Sequence, residues 1–294
     1  MTRWLVTGAG GMLGRELLDV LSRDPAARIT GLTRHALDIT DAKAVRAAVA
    51  GQDVVVNAAA WTDVDGAESA ETAATAVNGR AVAALARACA AEGARLLQVS
   101  TDYVFPGDAR RPYAEDAATG PLNAYGRGKL LGERAVAELL PDLGYVVRTA
   151  WLYGRHGRNF VATVLARAAA GEPLRVVDDQ HGQPTWAGAL AGRLVELGGR
   201  ALEGGAPAGV YHGTASGTAT WYDLARAVIE ETGGDPAVVA RASTGDFPRP
   251  APRPSYSVLG HDRWAAAGLP PLPHWRESLR TALPSMARAA VSVR

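Results

Sequence analysis

The stretch "VTGAGGMLGREL", beginning at Val6, leaves an apolar run, turns on glycines and enters an amphipathic helical pattern, with Gly8, Gly11 and Gly14 recurring every third residue. Glycines at a strand-to-helix turn let backbone N–H groups approach a pyrophosphate at the helix N-terminus, where the dipole favours negative charge. A tight turn also needs glycine for its geometry alone. It is the position of this turn, between the first strand and the first helix, that points to a dinucleotide.

Beyond the turn the chain keeps a matching rhythm. The runs "RWLVTG", "ARITGLT", "DVVVNAA", "RLLQVST" and "YVVRTAW" alternate with Ala- and Leu-rich amphipathic stretches, the pattern of an α/β, doubly wound parallel sheet. The first three runs are apolar nearly throughout, as expected for strands covered on both faces. Residues 1–150 form the expected dinucleotide-binding Rossmann domain. From 151 to 294 the rhythm loosens, with helical patterns at 159–170, 187–199 and 220–232 and short strands at "PLRVV" and "GVYHG". This half is expected to be a smaller, partly discontinuous substrate domain, some segments of which return to the first. Thr220 and Asp223 are spaced as a capping box, and "FPRPAPRPSYSVLG" reads as a loop.

Composition narrows the ligand. Thirty-one basic against 30 acidic residues give a formal charge of +1, which leaves no electrostatic basis for a nucleic-acid or anionic-membrane partner. A single cysteine, Cys89, excludes an intrachain disulfide framework. The N-terminus lacks the pattern of a signal peptide, and no apolar run approaches membrane-spanning length; the expected setting is cytoplasmic.

Three further positions carry chemistry. After the second strand the first charged residue is Arg34, with Asp38 downstream. An arginine there pairs with a 2′-phosphate, favouring NADP over NAD, while Asp38 would sit nearer the adenine; a solvated loop arginine is the ordinary alternative. In "NAYGRGKLLGERAV", Tyr125 and Lys129 stand four residues apart, on one face of a helix. A phenol with pKa near 10 becomes a better acid beside a cation, so Lys129 is expected to lower the pKa of Tyr125 and Tyr125 to protonate a carbonyl as hydride arrives. Ser100 and Thr101 close the fourth strand at the carboxyl edge of the sheet, where a hydroxyl can donate to a developing oxyanion. Singly, each residue has a plain structural use: packing, solvation or capping.

Together these elements resemble the extended short-chain dehydrogenase/reductase superfamily and, within it, the dTDP-4-dehydrorhamnose reductase family. The wording recurs in order along nearly the whole chain: "LDITD", "VVNAAAWTDVDGAE", "VSTDYVF", "YGRGKLLGE", "VVRTAWLYG", "DDQHGQPT" and "RPSYSVL". The resemblance implies NADPH, with NADH possible, and a dTDP-4-keto-6-deoxy sugar whose C4 ketone Thr101 polarises and Tyr125 protonates while Lys129 holds the nicotinamide ribose. It places Gly8, Gly10, Gly11, Met12, Leu13, Arg34, Asp38, Ile39, Ala58, Ala59, Ala60, Thr62, Asn78, Tyr125 and Lys129 around the cofactor. Around the nucleotide sugar it places Thr62, Asp63, Val64, Thr101, Asp102, Val104, Tyr125, Trp151, Asn159 and Arg253. Trp151 would stack on the sugar or base, or else fill the core; Arg253 would grip the diphosphate. Some members dimerise through magnesium held by acidic residues, but Glu196, Glu203 and Glu277 are scattered, so no metal is expected, and the chain is read as a monomer or homodimer. Two other activities fit the same residues: a 4-ketoreductase for another dTDP-deoxysugar of antibiotic biosynthesis, such as the dihydrostreptose branch, and a non-catalytic nucleotide-binding regulatory subunit. Trp61 departs from the family's usual Tyr or Phe, and His181 has no assigned role.

Overall fold

A computed structural model describes residues 1–291. Its first half alternates β1 (Thr2–Thr7), α1 (Met12–Leu21), β2 (Ala27–Leu32), α2 (Ala42–Val49), β3 (Val54–Asn57), α3 (Val64–Ser69), α4 (Glu71–Thr75), a π-helical turn (Ala76–Arg80), α5 (Ala81–Glu92), β4 (Arg95–Thr101), α6 (Ala124–Leu139) and β5 (Gly144–Thr149). The expected doubly wound sheet is present. Six parallel strands run in the order Gly209–His212, β5, β4, β3, β1, β2.

Strand alternation sends side chains to two cores. Trp4 and Val6 face Leu13 and Leu17 of α1 and, from the second half, Leu190 and Leu194 of a long helix (Ala187–Leu202). Leu5 and Val55 face the other way, onto Val45 and Val49 of α2, Leu85 of α5 and Val136 of α6. Each such fully buried aliphatic contributes about 1.5–3 kcal/mol before entropy is counted. One expectation needs correction. The run "ARITGLT" touches both cores, through Ala27 and Ile29 on one face and Leu32 on the other, but β2 ends the sheet and none of its residues is fully buried.

The strand "GVYHG", read from sequence as part of the smaller half, pairs with β5 as the sixth strand of the main sheet. Other segments of the second half build their own core, in which Tyr153, Val161, Val176, Leu224, Val228, Trp275 and Leu279 meet. Its helices include α7 (Phe160–Ala169) and α9 (Trp221–Glu231), whereas α8 (the Ala187–Leu202 helix) packs on the main sheet. The capping box at Thr220 and Asp223 forms as its spacing predicts. No helix among the described residues is long and apolar enough to cross a membrane.

A buried ion pair ties α6 to the sheet. Arg148 of β5 donates to Glu133 of α6 at 2.8 Å through Nη2 and 3.0 Å through Nε, and the Ser100 hydroxyl donates to the same carboxylate at 2.5 Å. Both charged side chains are almost wholly covered, with 5% and 6% exposure. His212, beside Arg148, is pushed down to about 3 by burial and by the Arg148 charge, so it stays neutral. Removing one member of a buried pair strands the other's charge. Arg148→Met should therefore cost about 3–5 kcal/mol in urea unfolding, and adding Glu133→Leu should recover much of it.

Candidate active site

The glycine turn, the second-strand loop and the carboxyl ends of β3, β4 and β5 enclose a cleft of about 1100 Å³. Gly8 has φ of +68°, and a Cβ there would lie 2.6 Å from the Ala59 amide nitrogen, so no other residue lets the first and third strand ends approach this closely. Gly11 caps α1 without a side chain, and the first turn carries no acid. Its N–H groups are left for an anion. Hydrogen bonds from Thr7 to Asn57 (2.6 Å) and from Asn57 to Gln98 (2.7 Å) lace β1, β3 and β4 together beneath the cleft.

Gly8, Gly10, Gly11, Met12, Leu13, Arg34, Asp38, Ile39, Ala58, Ala59, Ala60 and Thr62 all line this space, as do Val64, Thr101, Asp102, Tyr125, Lys129 and Trp151. The Asp38 carboxyl is held below the usual range by hydrogen bonds from the backbone and hydroxyl of Thr40. Because β2 is the sheet's edge and β1 lies between it and β3 and β4, the cleft runs from Arg34 past the glycine turn to the phenol. Its donor-rich turn, its arginine and its buried ammonium fit a phosphorylated dinucleotide.

At the phenol end, Asn123 caps α6 by accepting from Gly126 N at 2.8 Å, which starts the helix just ahead of Tyr125. Tyr125 and Lys129 both face the cleft, as their spacing predicts. The expected coupling between them needs correction. Lys129 Nζ donates to the Val99 carbonyl at 2.6 Å, and burial pushes the amine down to about 8. Burial and the Asp102 charge push the phenol up to about 12, and only the Thr101 hydroxyl pulls it down. Desolvation is the largest influence on the phenol, and the charge of Lys129 is not among the influences that lower it.

Asp102 is 2% exposed and accepts from Thr101 Oγ1 at 2.9 Å. Burial pushes it up to about 6.

Five expected contacts lie outside the cleft. Asn78 is buried and clamps the backbone of Trp61, accepting from its N at 2.9 Å and donating to its O at 3.0 Å, so it holds the β3 loop from behind. Asp63 caps α3 through Gly66 N. Asn159 caps α7 by accepting from Ala162 N at 3.0 Å and donates to Gly154 O. Val104 is fully buried against Phe105, Leu130 and Leu259, because the short 3₁₀ turn Asp102–Val104 rotates it inward. Arg253 faces a second cavity of about 620 Å³ beside the first, where it donates to Asp65 at 3.0 Å.

That second cavity was not read from the sequence. Arg175, Arg249 and Arg253 line it with Phe160, Phe247 and Trp221. Arg249 shares the proline-rich loop of Arg253 and was legible there; Arg175 and Trp221, on separate elements, gave no such signal.

A glycine turn and a Thr, Tyr and Lys group in one cleft, on a doubly wound sheet, define an extended short-chain dehydrogenase/reductase. A family profile described as "RmlD substrate binding domain" matches residues 2–288, and the chain belongs to this family, that of the dTDP-4-dehydrorhamnose reductases. It is 57% identical over 286 residues to a dTDP-4-dehydrorhamnose reductase of Streptomyces griseus, covering 97% of this chain and 94% of that one. It is 50% identical over 284 residues to a dTDP-4-keto-6-deoxy-D-glucose reductase of Streptomyces niveus, covering 96% of each. The crystal structure of a Bacillus anthracis dTDP-4-dehydrorhamnose reductase in complex with NADP superposes with a TM-score of 0.90 at 33% identity, over 97% of this chain and 99% of that one.

If Arg34 meets a 2′-phosphate, Arg34→Ala should weaken NADPH binding roughly tenfold or more, the worth of a charge-assisted hydrogen bond, and leave NADH binding unchanged in a fluorescence titration.

Proposed function

We propose that the protein reduces the C4 ketone of dTDP-4-dehydro-β-L-rhamnose to give dTDP-β-L-rhamnose with NADPH. The observation that carries this reading is the meeting of Thr101, Tyr125 and Lys129 in the same cleft as the glycine turn, in a chain of this family. When bound, NADPH supplies the hydride that becomes the hydrogen on C4. The turn from Gly8 to Leu13 would hold its pyrophosphate, Arg34 its 2′-phosphate and Lys129 its nicotinamide ribose.

The remaining chemistry belongs to side chains. Thr101 Oγ1, whose one hydrogen goes to Asp102 Oδ1 in the free structure, would turn it to O4 beside the Tyr125 phenol, and the two donors polarise the ketone and stabilise negative charge as it develops there. Tyr125 then transfers its proton to O4, completing the alcohol. A phenol held near 12 enters the reaction fully protonated at neutral pH, which suits an acid that must give a proton to an alkoxide, a much stronger base than phenolate. The Asp102 charge, present above about pH 6, helps keep the phenol protonated. Arg175, Arg249 and Arg253 supply the cations a diphosphate needs in the adjoining cavity. There Arg253 would exchange Asp65 for phosphate oxygens.

The identity with the Streptomyces niveus protein favours one second reading, a ketoreductase acting on another dTDP-4-keto-6-deoxy sugar. Following nicotinamide absorbance with dTDP-4-dehydro-β-L-rhamnose and with dTDP-4-keto-6-deoxy-D-glucose separates the two. No turnover of the first sugar overturns the leading assignment.

Tyr125→Phe should lower kcat by at least about 10²-fold, the usual worth of a positioned proton donor, and leave NADPH affinity intact. The amine, pushed down to about 8, is charged below that pH and neutral above it. In the free enzyme kcat/KM for NADPH should therefore fall as pH rises through about 8. Lys129→Arg, which stays charged, should lack that alkaline fall even if slower throughout.

A further inference from the structure

The main cleft and the second cavity share two wall residues, Tyr103 and Trp221. Trp221 opens α9, and the Thr220–Asp223 capping box fixes the point from which its indole departs. The ring is held on three sides. It stacks on Trp151 with centroids 3.7 Å apart and planes 9° from parallel, takes Phe160 edge-on at 4.8 Å, and donates from Nε1 to Gln180 Oε1 at 3.2 Å.

Its stacking partner is strained. Trp151, with φ of 47°, is the one non-glycine residue at positive φ among the described residues. Such a backbone costs on the order of 1–3 kcal/mol and persists only where its surroundings over-determine it. Here Gly182 lies under the indole, where a Cβ would come within 2.6 Å of the ring. Gly182 also pairs, antiparallel, with Ala219, two residues before Trp221. One short ladder thus seats both members of the stack. An aromatic pair locked this firmly, at the boundary between a cofactor cleft and an arginine-lined cavity, is shaped to meet a ligand that spans both.

We propose that the Trp151–Trp221 stack is the partition over which the nucleotide sugar bends, and that Trp221 sets how deeply the hexose enters the cofactor cleft. This rests on the reading that the substrate is a nucleotide-linked keto sugar. The apolar C–H face of the hexose lies against the stack while the diphosphate meets the arginines beyond it. Trp221 is a positioning residue: through Trp151 and the neck beside Tyr103 it aligns O4 with the Tyr125 phenol. A shift of about 1 Å in such alignment costs on the order of 10²-fold in rate.

The wild-type enzyme must first turn over dTDP-4-dehydro-β-L-rhamnose; if it does not, the functional reading fails, whatever becomes of the partition. Given turnover, Trp221→Ala should lower kcat/KM for the sugar nucleotide about 30-fold or more, through both kcat and KM, with NADPH affinity unchanged. Inhibition by free dTDP should change by less than about threefold, because the nucleotide alone does not cross the partition. Trp221→Phe, which keeps a ring on Trp151, should recover activity to within about fivefold of wild type. In wild type, tryptophan emission should respond more to dTDP-β-L-rhamnose than to dTDP, a readout that survives even if the Ala variant does not fold. An unaltered kcat/KM in a folded Ala variant, an equal loss of dTDP and sugar-nucleotide binding, or an equal emission response to both ligands overturns the proposal.

Discussion

The buried pair between Arg148 and Glu133 is the constraint on which the site depends. Helix α6 carries Tyr125 and Lys129, and Glu133 lies one turn beyond Lys129 on the same helix. By engaging Glu133 from β5, with Ser100 of β4 donating to the same carboxylate, Arg148 sets the height and rotation of α6 over the strand ends. A neutral His212 beside Arg148 adds no second positive charge. Such a pair gains little stability over a hydrophobic replacement, but its hydrogen-bond geometry admits a single arrangement of helix on sheet. The field of Glu133 also reaches Lys129, favouring its charged form against a burial that otherwise disfavours it.

Burial then divides the labour of the site. Desolvation raises the phenol, raises Asp102 and lowers the amine, each toward its uncharged form. For ketone reduction this is a coherent set. The acid is stocked with its proton, the carboxylate beside it holds that proton in place above about pH 6, and the amine remains a cation below about pH 8. The phenol therefore serves reduction through its position beside Thr101, without a lowered pKa. The reverse reaction, alcohol oxidation, would ask the same phenol to accept a proton and would gain from a cation closer to it.

Local features were legible in the sequence. A glycine turn after one strand, a capping box and a Tyr–Lys pair four residues apart each depend on a few neighbours in the chain, and each forms where its spacing places it. The strand ends of β3 and β4 were legible for the same reason, because alternation along a short strand is a local rule. Misreadings arose where long-range packing decides. β2 is an edge strand only because no later segment among the described residues pairs beyond it, and Gly209–His212 joins the main sheet only by pairing with β5, far earlier in the chain. Val104 turns inward because a 3₁₀ turn breaks the alternation of β4. The second cavity draws Asp65, Tyr103, Arg175, Trp221 and Arg253 from five separated segments, so no spacing announces it. The sign of the Tyr125 shift was likewise invisible, since it depends on how much water the fold removes.

The central claim is that the Tyr125 phenol keeps its proton in the free enzyme and gives it to the sugar oxygen. Titrating ring-labelled tyrosine by NMR, with Tyr125→Phe to assign the resonance, tests it directly. The Tyr125 signal should remain that of a phenol through neutral pH and up to the limit of the folded state, with no transition before about pH 12. A transition to phenolate near neutrality in the enzyme without ligands would contradict the account.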